Sequence, residues 1–426
     1  MVHSHLYLLC ARLYVRLLQR ALSARLTFAL MKLKKLMMTM VAGLMALPAL
    51  AADSFNWTEY YFLLPTDENS RPYKRYMDEK YGTQWNLNVA YNLWNTEGAM
   101  PGVNNHNNLL MASLQLQQRL IEDSVGGGTW FRLEVDSCWG LDRESAQSDT
   151  YYTSFFGIPH SVHNNAKGPH NVMVAEAMLM HFRNNKRTVF TAGIVDLSNY
   201  IDCVSIAASG YHGFNNTGFV GPFTNPVTLY NLGAIAMHQI DDRNYIIGGI
   251  SRNTAGPGDN PFGGSISDGY LATAEYGHIC NDGKTILRFS PFIHRSTGNA
   301  SGKHASGGFS CSIEYKQSDA LTLYSRAGYG FRDDVTEPFG IAIGAQAKLC
   351  PSRPDDYCGL SYGLFKGKRN SDGGYYEGRQ HQVEALYSFQ VNEYMKVVPH
   401  VQAIMNPTYY DTDAEFIWGF MTVFVF

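Results

Sequence analysis

The sequence predicts an all-β fold, a transmembrane up-and-down antiparallel β-barrel of about sixteen strands with a short helical segment ahead of it. Three observations lead there. Between Gln84 and Phe426 the chain falls into about sixteen segments of mostly 8–12 residues, many of alternating polarity. The connections between them alternate long and short. Finally, the chain stops on EFIWGFMTVFVF, where Phe416, Trp418, Phe420, Phe424 and Phe426 fall on one face of a strand, since strand side chains alternate sides.

The first 51 residues are set apart by a targeting pattern. They contain no acid, and from Met31 the text MKLKKLMMTMVAGLMALPALA gives a basic head, an apolar run from Leu36 to Leu47 and an Ala49-Leu50-Ala51 cleavage pattern, a secretory signal peptide. Residues 1–30 are expected to be a start called too early. A membrane anchor there is opposed by Arg12, Arg16, Arg20 and Arg25, which interrupt every apolar run. Seven of the 34 basic residues lie in this leader, so the exported part carries 27 basic against 37 acidic side chains, a charge of about −10. That excludes nucleic acid as a natural partner.

After Ala52 no run approaches the ~20 apolar residues of a membrane helix. A membrane location therefore requires strands. Residues 52–83 form an N-terminal periplasmic or plug segment in this reading, with a helix over SRPYKRYMDEKYG at 70–82 and Pro72 in its first turn, and residues 84–426 form the barrel.

The strands show a wet and a dry side. In QWNLNVAYNLW, Trp85, Leu87, Val89, Tyr91 and Leu93 share one face and Asn86, Asn88 and Asn92 the other. In TWFRLEVDS, Phe131, Leu133 and Val135 oppose Arg132, Glu134 and Asp136. Odd-numbered connections average about 17 residues and even-numbered ones about 5. Short periplasmic turns and long outward loops are the habit of outer-membrane barrels. The short ones, NNKR at 184–187, DDRN at 241–244, NDGK at 281–284 and VNEY at 391–394, carry turn residues.

Several stretches resemble the carbohydrate-selective outer-membrane porins of the OprB type. HQVEALYSFQVNEYMKVVPHVQAIMNP at 381–407 is similar to that family's penultimate strands, with Glu384, Tyr387, Pro399, Gln402, Asn406 and Pro407 at its marked positions. RPDDYCGLSYG at 353–363 resembles its Arg-Pro-Asp-Asp turn, TLYSRAGYG at 322–330 its Arg-x-Gly-Tyr strand, and VFTAGIVDLSNYID at 189–202 a strand ending in Gly-x-x-Asp. The resemblance implies a bacterial outer-membrane porin through which small sugars diffuse passively. Its partners are then those solutes, outer-membrane lipid and the barrel assembly machinery, which Phe426 resembles a signal for; a homo-oligomer is compatible with it. The alternative is a non-conducting barrel serving as an adhesin or structural surface protein.

A sugar pore wants paired donors and acceptors with aromatic faces. Arg132, Glu134, Asp136, Glu176, Arg326 and Glu384 are the pore-lining candidates among strand charges, since a lipid-facing Arg or Lys costs ~2–4 kcal/mol near the midplane. Glu275 and Glu314 should also point inward. Such charges are equally the wet face of a strand. The 141–170 loop adds Tyr151 and Tyr152, beside Phe155 and Phe156, as a constriction or as packing on the rim or a neighbouring subunit. Arg353, Asp355 and Asp356 read as a salt-bridged turn.

Six cysteines remain after the leader, an even number compatible with disulfides in an exported chain. Cys350 and Cys358, eight residues apart, are the expected pair. CxxC and HxxxH spacings for zinc are absent. GKT at 283–285 has His278 where a phosphate loop needs Gly, GxSxG and HExxH do not occur, and DTDAE at 411–415 reads as a polar outer loop. No catalytic residue, cofactor or metal is expected.

Overall fold

Period-two alternation becomes sixteen antiparallel strands. In the computed structural model the described residues are 56–64, 71–96, 105–123, 127–141, 171–207, 211, 213–221, 224, 230–253, 260–263, 269–295, 305–331, 339–366, 378–407 and 413–426. Strands β1 (Thr83–Thr96), β2 (His106–Glu122), β3 (Gly128–Gly140), β4 (Asn171–Arg183) and β5 (Thr188–Val195) lead into a long connection. After it come β6 (Asn231–Gln239), β7 (Asn244–Arg252), β8 (Tyr270–Cys280), β9 (Thr285–Arg295), β10 (Ser306–Ser318) and β11 (Leu321–Gly330). The barrel is completed by β12 (Phe339–Ala347), β13 (Tyr357–Lys366), β14 (Arg379–Asn392), β15 (Met395–Met405) and β16 (Ala414–Val425).

Each strand pairs with its neighbours in sequence, and β1 pairs with β16 to close the barrel. At that seam Asn88 lies opposite Val425 and Thr96 opposite Ile417. Phe426 continues the ladder, donating its N–H to Leu87 O at 2.9 Å. Closure pairs the backbone groups that hydrocarbon would leave unsatisfied. On the outside of β16, Phe416 and Trp418 are 48% and 45% exposed, while Ile417, Met421 and Val423 point inward and are buried.

The short turns use left-handed backbone, which Asn, Asp and Gly tolerate best. Asn184, Asn185 and Lys186 have φ of 54°, 53° and 59°, and Asn281, Asp282 and Gly283 have 53°, 54° and 81°. The β12–β13 turn is an ion pair, Arg353 Nε to Asp356 Oδ2 at 2.6 Å. Asp356 also accepts from Tyr387 Oη at 2.8 Å and from the Gln390 N–H at 2.9 Å. The Arg353 guanidinium thereby holds the Asp356 carboxyl well below the usual range, at about 2.

The expected disulfide is not formed. All six described cysteines are free, Cys350 and Cys358 included. Cys358 is locked in the β13 ladder opposite Ala347 and Tyr387, and Cys350 Sγ lies 3.2 Å from Ser352 Oγ.

Two helices precede β1. Helix α1 (Trp57–Phe62) is capped by Asn56 Oδ1, which accepts from the N–H groups of Thr58 and Glu59. Helix α2 (Pro72–Tyr81) has Pro in its first turn and ends on Gly82 at φ 64°. It sits at the short-turn rim: Lys74 donates to Asn86 Oδ1 at 2.6 Å, and Arg71 donates to Val425 O at 2.8 Å while stacking 4.0 Å from the Tyr394 ring. Among the described residues no helix is long and apolar enough to cross a membrane, which says nothing of strands.

Inside the barrel, α1 and the β5–β6 connection build apolar cores of their own. Trp57, Tyr61 and Phe62 pack with Leu197, Tyr200 and Ile201 against Met178, Met237 and Tyr245 of the wall. Phe214 and Phe219 join a second cluster with Tyr324 and Phe365. A barrel interior is ordinarily polar. Here segments that enter the lumen need apolar partners to be held there, and the wall supplies them.

Candidate functional site

The described residues of the β5–β6 connection lie inside the barrel and do not project outward. Asp196 follows β5 and caps a 3-10 turn at Leu197–Asn199, accepting from the Ser198 N–H at 2.9 Å. The chain then crosses the lumen through a second 3-10 turn at Ser205–Ala207 and the short helix α3 (Thr217–Val220).

Four carboxylates from four strands hold it. Glu176 on β4 accepts from Asn199 Nδ2 and Tyr200 Oη, both at 3.2 Å. Glu275 on β8 accepts from the Asp202 N–H at 2.5 Å. Glu314 on β10 accepts from the Ser205 N–H at 2.9 Å and from the Ser205 hydroxyl. Glu384 on β14 accepts from the N–H groups of Asn215 and Asn216, each at 2.9 Å, and lies 3.0 Å from His400 Nδ1. Backbone N–H groups buried in a lumen need acceptors. Ionised carboxylates supply the strongest.

Carbonyls are held by a cation. Arg326 on β11 donates to Phe219 O and Gly221 O at 2.8 Å each and to Asp202 O at 2.6 Å. Asp202 has φ 54°, a conformation Asp tolerates better than most side chains, so both its N–H and its C=O meet wall charges. Gly328, two residues on from Arg326, leaves the space that Thr224 occupies, because a Cβ there would collide with the Thr224 side chain.

The third charged cluster joins the crossing segment to α1. Arg132 Nε is 2.5 Å from Glu176 Oε2, its Nη2 is 3.7 Å from Glu134 Oε2, and its Nη1 donates to Phe62 O at 3.4 Å. Phe62 stacks on Tyr200 with ring centroids 4.6 Å apart. Further along α1, Tyr61 Oη lies 2.9 Å from Tyr245 Oη, which donates to Glu275 at 2.9 Å. Arg288, buried beside them, is 3.6 Å from Glu314 Oε2.

Arg132, Glu176, Arg326 and Glu384 grip internal segments, whereas Glu134 pairs with Arg132 and accepts from Ser113 on the wall itself. Asp136 is buried on the same wall, 6% exposed. Tyr151 and Tyr152 lie outside the described residues. Asp202, Arg288, His400, Ser205 and the Asn215-Asn216 pair carry as much of the arrangement and were not among the candidates. Only the Asn-Asn doublet, a pair of turn formers in a long loop, hinted at it.

Glu176 faces inward because of a β-bulge. The register of β3 with β4 runs Glu134 to Glu176 and then Val135 to Val174, skipping Ala175. Val172 and Val174 point outward, 57% and 40% exposed, and unbroken alternation would send Glu176 with them. The extra residue reverses parity.

Asp196 stands where these charges crowd. Burial pushes its carboxyl up to about 7, with Glu176 and Asp136 adding to the rise against the Ser198 hydrogen bonds.

A profile of the carbohydrate-selective porin, OprB family matches residues 208–426. No curated protein matches the chain. Among solved structures it is similar to the high-pH structure of OprB from Pseudomonas putida, at 13% identity and TM-score 0.63, over 89% of this chain and 100% of that one. It is also similar to the outer-membrane channel DcaP of Acinetobacter baumannii, at 10% identity and TM-score 0.52, over 81% and 97%. An engineered variant of the Rh. blastica porin aligns at 13% identity and TM-score 0.52, over 81% and 100%. At these identities the structural matches show the fold.

Proposed function

Because the chain belongs to the carbohydrate-selective porin, OprB family and is an outer-membrane porin, we propose that it passes small neutral sugars by passive diffusion through an aperture set by the β5–β6 segment. The observation that supports this reading most directly is the five-point attachment of that segment: Glu176, Glu275, Glu314, Arg326 and Glu384, from five strands, bind its backbone or side chains. A segment so fastened gives a fixed aperture. Fixed dimensions allow a pore to select by size and hydrogen-bonding pattern without an energy source.

In this reading Arg326, Glu176 and Glu384, each wholly buried, are fasteners, and solute meets the groups they position. Arg132, bonded to Phe62 O and paired with Glu176, ties the segment to α1. Family and fold are those of channels, and no step of chemistry is called for.

A non-conducting barrel is favoured by one observation. On the inner faces of β1 and β2, Asn92, Trp94, Asn107 and Met111 are wholly buried. Planar-bilayer recording separates the two readings. The proposed function requires steady conductance that is reduced by added sugar, together with liposome swelling that ranks sugars by size. A purified, folded barrel that conducts nothing would overturn it.

A further inference from the structure

Beneath the second 3-10 turn, at the short-turn end, lies a cavity of about 870 Å³, within the ~300–1,000 Å³ usual for small-molecule sites. Its roof is Ser205 and Ile206 of the crossing segment. Its walls are the β12–β13 and β14–β15 turns with the inner faces of β13 and β15. The roof is fixed in place, since Glu314 binds both the N–H and the hydroxyl of Ser205.

The lining carries both signs in equal number. Lys348, Arg353 and Lys396 face Asp355, Asp356 and Glu393, and Arg353 and Asp356 neutralise each other at 2.6 Å. Balanced charge gives a free ion of either sign little net attraction. A molecule rich in hydroxyls is different, because each hydroxyl both donates and accepts and can satisfy groups of both kinds. Gln346 adds an amide that does the same. Lys396, 6% exposed on the inner face of β15, brings ammonium donors to the wall, and Tyr357 brings an aromatic ring. The ring can cover the C–H face of a pyranose.

From this geometry we infer that the vestibule is a second solute subsite, on the periplasmic side of the constriction, that takes a neutral polyhydroxylated molecule. The inference rests on the porin reading above. Two stations in series let a solute leave the first without returning to bulk water, which favours passage over retention.

Single channels of the full-length protein, inserted in one orientation, test this with glucose and with gluconate added to one compartment at a time. For the wild type, glucose on the short-turn side should reduce the current at lower concentration than gluconate does. In Tyr357→Ala and Lys396→Met the glucose concentration for half-block from that side should rise about tenfold, while that from the long-loop side changes less than twofold. Lys348→Met, an exposed turn position, gives the same reading should Lys396→Met fail to assemble. Equal loss from both sides, no loss from either, or preference for gluconate overturns the subsite. A wild type that conducts and is blocked only from the long-loop side overturns the subsite and leaves the porin reading standing; one that does not conduct overturns both.

Discussion

Arg326 and Asp202 face each other with both side chains wholly buried, the guanidinium Nε 3.1 Å from Asp202 Oδ2 and an NH2 donating to Asp202 O at 2.6 Å. One residue is in the barrel wall and the other in the crossing segment. Removing one partner of a buried pair strands the other charge, at a cost of about 3–5 kcal/mol. Arg326→Met should therefore release the segment while leaving the barrel assembled. Larger and noisier single-channel conductance with loss of sugar block is the expected result, and an unchanged current would count against the fastening role.

Glu384 meets two adjacent backbone N–H groups with one charge. Glu384→Gln keeps the size but offers one acceptor oxygen in place of two. Hydrogen bonds to charged groups are worth roughly 1.5–3 kcal/mol, so amide hydrogen exchange at residues 213–221 should speed up about 10- to 100-fold. Exchange in β14 itself should stay slow, which distinguishes local release from barrel unfolding.

Asp196 makes the segment sensitive to pH. An unfolded carboxyl titrates near 3.9, whereas this one is pushed up to about 7 by burial, with Glu176 and Asp136 contributing. Folding therefore favours the protonated form. Its stabilising contribution is complete below about pH 4 and is lost as pH rises through about 7. Exchange protection of residues 197–207 should fall between about pH 4 and 7 and level off above that in the wild type, and should stay level throughout in Asp196→Asn.

Asp356 has the opposite sign. Its carboxyl is held at about 2 by Arg353, so its contribution is present above about pH 4 and lost as pH falls through about 2. Asp356→Asn should lower the thermal midpoint at pH 7 and leave it nearly unchanged at pH 2. A difference of equal size at both pH values would show that shape, not charge, is what the turn needs.

Phe426 is the last rung of the seam, bonded to Leu87 in both directions. Phe426→Ser should reduce the amount of barrel found in the outer membrane, while channels that do insert conduct normally. Quantitative surface labelling against total protein measures this, and normal surface amounts would argue that the terminal ring has no part in assembly.

Much of the barrel was legible because a strand with one wet side repeats its message every second residue. Trp85 to Leu93 gave the outer face of β1, and Asn-rich tetrads such as 184–187 gave the turns. Pro72 marked the start of α2 for the same local reason. What the crossing segment does was not legible: its partners Glu176 and Glu384 lie more than 200 positions apart, and long connections of this kind read simply as loops. Glu176 itself sits past a parity reversal that alternation does not announce. WTEYYF is too short to show a helical period, so α1 and its seat against Tyr245 and Gln239 came only from the structure. The strand charges expected to face inward are buried in the structure, yet a residue's own identity does not say whether it will meet solute or backbone.

The fasteners also impose an order of events. Glu176 is in place once β4 is paired, but Glu384 and His400 belong to the last three strands to be made. The segment between β5 and β6 must therefore wait, unanchored at its far end, while about 170 residues are synthesised and paired, from Asn231 to His400. Contacts so distant in sequence form late. The fastened lumen crossing is thus a product of completed assembly, absent until the last strands are in place.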